Sequence, residues 1–165
     1  MKLKLLLIPA IALLNTTTHA QGLRSAFNKV TQDYFKTQKA IESANATMVT
    51  ENSQAFIWDM RAVPVGEMGG AQHTQWFSHL DKLMNFSRSI SQAHNLDIQK
   101  QQFSELSKQF FETLKLFKFN NAPIYKVNCN GNVWLSRSTT ASNPYAAKTD
   151  KSKKCGNITD VLNGK

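Results

Sequence analysis

The chain has 165 residues, with 20 Lys and Arg against 11 Asp and Glu, and a formal net charge of +9. This length fits one ordinary domain that is large enough to bury a core. The basic balance is compatible with nucleic acid, anionic surfaces or acidic proteins as partners, and the N-terminal segment decides among them.

The first 20 residues have the layout of a secretory signal peptide. Lys2 and Lys4 precede an apolar run over 5–14, and small or polar residues lead to a predicted cleavage after Ala20. The run is about half as long as a membrane-spanning helix, so we favour cleavage over the alternative of an uncleaved anchor. We therefore expect residues 21–165 to be a periplasmic or secreted domain with no transmembrane segment, for which nucleic acid is not an expected partner.

Four segments have apolar residues at the spacing of an amphipathic helix. They cover 23–44, 46–60, 76–94 and 103–117. Breaks are predicted around Asn45 and at Pro64, and Asp97 is the predicted N-cap of the fourth helix. Because the connections are mostly short, we predict an all-α fold, an antiparallel up-down four-helix bundle with the phenylalanine-rich fourth helix as a central element.

The pattern changes after Pro123. The segment 124–127 alternates as a strand does, 133–135 is a short apolar run, and Asn130-Gly131 between them is a hairpin turn signal. We predict a small C-terminal β-hairpin-like extension over about 121–165, within the same domain as the bundle. It is expected to have no core of its own and to pack on the helices through Tyr125, Trp134, Leu135, Tyr145 and Ile158.

The only two cysteines, Cys129 and Cys155, bracket most of this extension. One interpretation is a disulfide that closes a loop of about 27 residues and contributes about 3–4 kcal/mol. The other is a two-thiolate site for a soft cation. An oxidising compartment favours the disulfide. No Cys-x-x-Cys redox motif occurs, which argues against a thiol oxidoreductase.

Few other residues indicate chemistry. Met68 lies in a glycine-rich loop beside Glu67 and near His73, and these residues are candidates for a weak, exposed site for Cu(I) or Ag(I). The sequence contains no glycine-rich phosphate loop, no Ser/His/Asp order and no haem-attachment motif. We therefore predict that the protein is not an enzyme.

A series of short motifs runs in a fixed order from the end of the helical part into the extension. They are 97–103 (Asp-Ile-Gln-Lys-Gln-Gln-Phe), Tyr125, Cys129, Trp134-Leu135-Ser136, Asn143-Pro144-Tyr145 and Cys155-Gly156. The series resembles the domain of unknown function (DUF) family 3347 over about 26–161. The resemblance implies an exported bacterial domain that also occurs fused to periplasmic adaptor subunits of copper- and silver-type efflux pumps. It further implies structural roles for the motif residues of the extension.

The chain departs from the pattern of that family beside both cysteines. The family pattern has Pro-Met directly after the first cysteine and a Met shortly before the second, whereas this chain has Asn130-Gly131 and 151–154 (Lys-Ser-Lys-Lys). Soft Cu(I) and Ag(I) ions prefer sulfur ligands. The departures therefore argue against tight copper binding and favour the disulfide.

These observations together predict a non-enzymatic periplasmic accessory protein in copper- or silver-type heavy-metal handling or efflux. Its expected partner is an efflux adaptor or another envelope protein. The alternative is a structural or protein-interaction module of the envelope with no bound metal, for which the basic segment 148–154 is the predicted contact surface.

Overall fold

A computed structural model describes residues 15–140, 142–146 and 154–164. Its elements are the helices α1 (Asn15–Glu42), α2 (Ala46–Arg61), α3 (Gly70–Gln92) and α4 (Leu96–Phe117) and the strands β1 (Ile124–Cys129), β2 (Asn132–Ser136) and β3 (Asn157–Leu162). The four predicted helices are confirmed, while their antiparallel up-down order stays a prediction. Of the predicted signal peptide, 1–14 lies outside the described residues, as does 148–153 of the basic segment 148–154.

Side chains from all four helices share one apolar core. The fourth helix, predicted to be central, contributes Phe103, Leu106, Phe110, Phe111, Leu114 and Phe117. Each such side chain stabilises the fold by about 1.5–3 kcal/mol when it leaves water. Within the described ranges, no helix combines the length and the apolar character that crossing a membrane requires.

Asparagine side chains begin two of the helices. Asn45 accepts a hydrogen bond from the backbone N–H of Met48 and caps α2 at the predicted break. Asn95 caps α4 by accepting from the N–H of Asp97 at 2.7 Å. The prediction of Asp97 as the cap was therefore wrong. Asp97 lies in the first turn instead, where its negative charge complements the helix dipole.

Gln99, from the 97–103 motif, joins α4 to two other helices. It is fully buried, and its side-chain amide nitrogen lies 3.0 Å from the carbonyl of Ala93 and 3.2 Å from the carbonyl of Ala46. The Ala93 carbonyl comes directly after the last residue of α3. The Ala46 carbonyl belongs to the first residue of α2. One amide group thus holds the ends of three helices together, because buried backbone carbonyls need a donor.

The extension is a three-stranded antiparallel sheet in the order β2-β1-β3. The predicted hairpin forms its first two strands, with Asn130 and Gly131 both at positive φ in the turn. The β-hairpin-like description was therefore incomplete, because β3 pairs with the free side of β1. Ile158, predicted to pack on the helices, is instead 40% exposed on β3.

Candidate functional site

The extension has a small apolar core of its own around the cysteines. Val127, Cys129 and Trp134 are buried together, and the partly buried side chains that pack against them are Tyr125, Tyr145 and Cys155. The prediction of an extension without a core was wrong. The six residues are spread over 125–155, so no local pattern in the sequence indicates that they meet.

Cys129 and Cys155 form a disulfide, as favoured from the sequence. Their Cα atoms are 5.6 Å apart, and the bond links the last residue of β1 to a residue just before β3. Both sulfurs are therefore committed to each other, and among the described residues no free cysteine is left to coordinate a metal. The bond fixes the start of β3 beside the end of β1.

Gly156 follows the disulfide and lies directly on the Trp134 ring. A Cβ added at Gly156 would lie 2.9 Å from two ring carbons of Trp134 and 2.9 Å from a methyl carbon of Val127. Side chains do not approach so closely in a packed interior. The glycine therefore allows the chain to enter β3 in close contact with the six-membered ring of the indole, which explains a glycine directly after the second cysteine.

Polar side chains hold the outer edge of β2. The backbone N–H of Leu135 donates to the Tyr34 hydroxyl at 3.0 Å, and that of Val133 donates to the Ser104 hydroxyl at 2.9 Å. The Tyr145 hydroxyl donates to the carbonyl of Val133 at 2.5 Å. These bonds satisfy backbone groups that an edge strand otherwise leaves open to another chain. The edge of β2 is thus closed by the helices and by Tyr145.

The two tyrosines act as neutral hydrogen-bonding groups. Burial raises the pKa of Tyr34 far above its ordinary value, although hydrogen bonds to Ser107 and Leu135 act in the opposite direction. Burial likewise raises the pKa of Tyr145 well above its ordinary value. Both phenols therefore keep their protons. Tyr34 can donate to Ser107 at 2.7 Å while it accepts from Leu135.

The remaining extension motifs shape the turns around Tyr145. Asn143 and Pro144 are buried, and the Asn143 side-chain oxygen accepts from the backbone N–H of Tyr145 at 3.0 Å. The Ser136 hydroxyl accepts from the N–H of Ser138 at 2.9 Å. Asparagine and serine form such local turns readily. The motif residues that the resemblance marks as structural are therefore used for packing, turns and strand closure.

The candidate metal residues lie in different surroundings. Met68 is 8% exposed and belongs to the helical core, so it does not lie in an exposed loop as expected. His73 is exposed on α3, with its ring 4.8 Å from that of Phe77. The Glu67 carboxylate faces Gly22 of α1. Within the described ranges, no three or more His, Cys, Asp and Glu side chains form a group suited to a metal ion.

A buried acidic pair between α1 and α2 was not found from the sequence. Asp33 is 2% exposed and pairs with Lys36 at 2.7 Å, while Asp59 pairs with Lys29 at 2.7 Å. Burial, together with a hydrogen bond to Asp59, raises the pKa of Asp33. Burial opposes ionisation of Asp59, but its hydrogen bonds with Asp33 and Lys29 outweigh that effect and lower its pKa. In the sequence, this pair is indicated only by the position of Asp33 beside the apolar face of α1.

Comparison with known proteins identifies a family for this chain. The model of the family described as "Protein of unknown function (DUF3347)" matches residues 30–122. The matched part covers α2, α3, α4 and the last 13 residues of α1 and ends before β1, so the extension motifs lie outside it. No curated protein and no solved structure matches the chain.

Proposed function

The chain belongs to the family DUF3347, and we propose that this member is a non-enzymatic accessory protein of the periplasm that works by binding another envelope protein. The proposed process is copper- or silver-type heavy-metal handling. The proposed partner is an adaptor subunit of a heavy-metal efflux pump, because the resemblance described above implies that related domains are joined to such subunits.

The proposal depends above all on the Cys129–Cys155 disulfide. Disulfides persist in oxidising compartments and are rare in the cytosol. The bond therefore supports the signal-peptide interpretation of the N-terminus. It also fixes Gly156 and the start of β3, so that the outer side of this strand is presented in one position.

β3 is the side of the sheet that best suits a protein partner. Ile158 and Val161 are 40% and 42% exposed on this strand. The outer edge of β3 pairs with no other strand of the sheet. Within the described residues, the one hydrogen bond at this edge runs from the N–H of Val161 to the side chain of Asp160 at 2.8 Å. Exposed apolar side chains on an edge strand are typical of a surface to which another chain is added. β2, by contrast, is closed by Tyr34 and its neighbours.

A role in metal handling is proposed to act through the partner. Met68 is buried and the two sulfurs are bonded to each other, so direct coordination of Cu(I) has little support from the described residues. Titration of Cu(I) or Ag(I) into the oxidised and the reduced protein tests this point. Tight uptake by the oxidised form would contradict a role through the partner alone.

Export and oxidation are tested by mass spectrometry of protein isolated from the periplasm without reductant. The expected mass lacks residues 1–20 and two hydrogen atoms, and a thiol reagent is expected to find no free cysteine. A cytoplasmic product that retains Met1 and has both thiols reduced would overturn the proposed location.

Partner binding is tested with a purified efflux adaptor and surface plasmon resonance. Val161→Lys is expected to weaken binding at least tenfold, because it places a charge on the exposed apolar side of β3. Ile98→Lys is the matched control, since Ile98 is 50% exposed on α4. Equal binding by both variants would reject β3 as the surface. Loss of binding without any change in the copper tolerance of the strain would favour the interaction module with no metal role.

A further inference from the structure

Glu67 places a carboxylate against the first helix, close to the predicted cleavage site. The residue ends a short 3-10 helix (Val65–Glu67), and the flanking side chains of Val63 and Met68 are buried in the helical core. A Cβ added at Gly22 of α1 would lie 2.7 and 2.8 Å from the two carboxylate oxygens. The carboxylate thus occupies the space that a side chain at position 22 would need, and the core contacts on both sides fix the backbone that carries it.

One oxygen of this carboxylate has no partner of its own. The Oε2 atom of Glu67 is buried, and within the described residues it accepts no hydrogen bond. The charged groups nearby on the two neighbouring helices contact other side chains, since Arg24 of α1 donates to Asn121 and the His73 ring of α3 lies against Phe77. A buried carboxylate oxygen without a donor lowers the stability of a fold. A cation or an N–H donor that came within reach of Oε2 would therefore stabilise this one.

Removal of the signal peptide would create such a group. α1 begins at Asn15, so the predicted cleavage site lies inside this helix. Cleavage makes Gln21 the first residue, with a free ammonium group, and releases the N–H groups of the new first turn from the carbonyls that preceded it. These groups point to the N-terminal side of Gly22, and the Cβ direction of a helical residue tilts to the same side. The Glu67 carboxylate therefore lies where a negative charge stabilises the start of a helix.

We propose that Glu67 is the binding site for the new amino terminus, in which its carboxylate pairs with the Gln21 ammonium and accepts from the N–H groups of the first turn. The inference rests on the proposed export, because only cleavage after Ala20 produces this ammonium. It gives Gly22 a role, since a side chain there would displace the carboxylate. It also gives cleavage a structural consequence. The exported chain is more stable than its precursor, because only the exported chain has a cation beside Glu67.

A thermodynamic cycle tests the ion pair in the chain that starts at Gln21, released from a fusion protein by a protease. Glutaminyl cyclase removes the positive charge, because the α-amine attacks the side-chain carbonyl of Gln21, ammonia leaves and a neutral pyroglutamate ring forms. Urea unfolding gives the unfolding equilibrium constant of both forms. Cyclisation is expected to raise this constant about fivefold in the native sequence and less than about twofold after Glu67→Gln. Glu51→Gln, which removes an exposed carboxylate of α2, is expected to leave the effect of cyclisation unchanged.

The pKa of the Gln21 α-amino group gives a second measurement, which does not depend on removal of Glu67. Pairing with the carboxylate is expected to raise this pKa above its ordinary range of about 7.7–8.0, as followed by NMR of the terminal residue. Gly22→Ala keeps the carboxylate in the chain, but the added methyl group displaces it. The α-amino pKa is therefore expected to return towards its ordinary range in this variant.

Three results would overturn the inference. They are an equal effect of cyclisation with and without Glu67→Gln, loss of the effect in Glu51→Gln as well, and an α-amino pKa that is not raised. Because the chain starts at Gln21 in these experiments, any of these results would reject the ion pair and leave the proposed export standing. Failure of export itself is detected by the mass spectrometry described above.

Discussion

The backbone N–H of Leu135 donates a hydrogen bond to the hydroxyl of Tyr34 at 3.0 Å, across 101 positions of the chain. Tyr34 lies in α1 and is fully buried, and Leu135 lies in β2. The same hydroxyl lies 2.7 Å from that of Ser107 in α4. One phenol therefore connects the first helix, the fourth helix and the edge of the sheet.

Tyr34→Phe is expected to destabilise the protein by about 1–3 kcal/mol, because it leaves the buried N–H of Leu135 without an acceptor. The ring and its contacts with Phe103 and Phe110 are retained, so the loss reports on the hydroxyl. Urea unfolding followed by circular dichroism gives the free energy of unfolding.

Tyr125→Phe is the control for this change. Tyr125 is half-buried, and no hydrogen bond of its hydroxyl is found within the described residues. It is expected to change the free energy of unfolding by less than about 0.5 kcal/mol. Equal effects of the two substitutions would contradict the role given to the Tyr34 hydroxyl.

Replacement of Cys129 and Cys155 together by serine is expected to lower the free energy of unfolding by about 3–4 kcal/mol in the loop-entropy description. The stability is lost because the unfolded chain gains conformational entropy when two residues 26 positions apart are no longer linked. Hydrogen exchange is expected to rise most at β3, whose start the bond fixes, and least in α4. Uniform exchange over β3 and α4, or an unchanged stability, would show that the disulfide does not hold the strand.

Gly156→Ala is expected to destabilise the protein by about 1–3 kcal/mol, the usual effect of overpacking. The added methyl group meets the Trp134 ring and Val127 at 2.9 Å. Tryptophan fluorescence is expected to change as well, because the indole must shift. Gly66→Ala is the matched control, since a Cβ there meets no atom within 4 Å. An unchanged free energy of unfolding in Gly156→Ala would mean that the backbone before β3 can shift away from the indole without cost.

The helices were predictable because their apolar faces follow from local spacing. Val30, Tyr34 and Ile41 recur on one face of α1, and all three are buried. The ends of helices are harder to predict from local sequence. Asn95 and Asp97 are both good caps, and only the backbone geometry selects Asn95. The pairing of the cysteines was predictable from their number and the expected compartment.

Local sequence patterns predict neither β3 nor the contacts of the site. Ile158 and Val161 are both exposed, so β3 lacks the alternation that marks a half-buried strand, and its position depends on β1 and the disulfide. Gly156 belongs to a recognisable motif, but its reason is the distant ring of Trp134. Such long-range partners are set by packing, and one sequence does not encode them at any fixed spacing.

The acidic pair makes the effect of Asp33→Asn depend on pH. Burial and the hydrogen bond to Asp59 raise the folded-state pKa of Asp33 above 3.8, so the folded protein binds this proton more tightly than the unfolded chain does. The contribution of Asp33 to stability is therefore present below pH 3.8 and is lost as the pH rises through the raised value. Asp33→Asn stays neutral, so its stability relative to the native protein is expected to increase as the pH rises from about 4 to about 7. Urea unfolding at several pH values measures this difference, and Asp81→Asn, which removes an exposed carboxylate of α3, corrects for the change in net charge. A difference that is constant over this range, or that favours the native protein increasingly towards neutral pH, would contradict a raised pKa at Asp33.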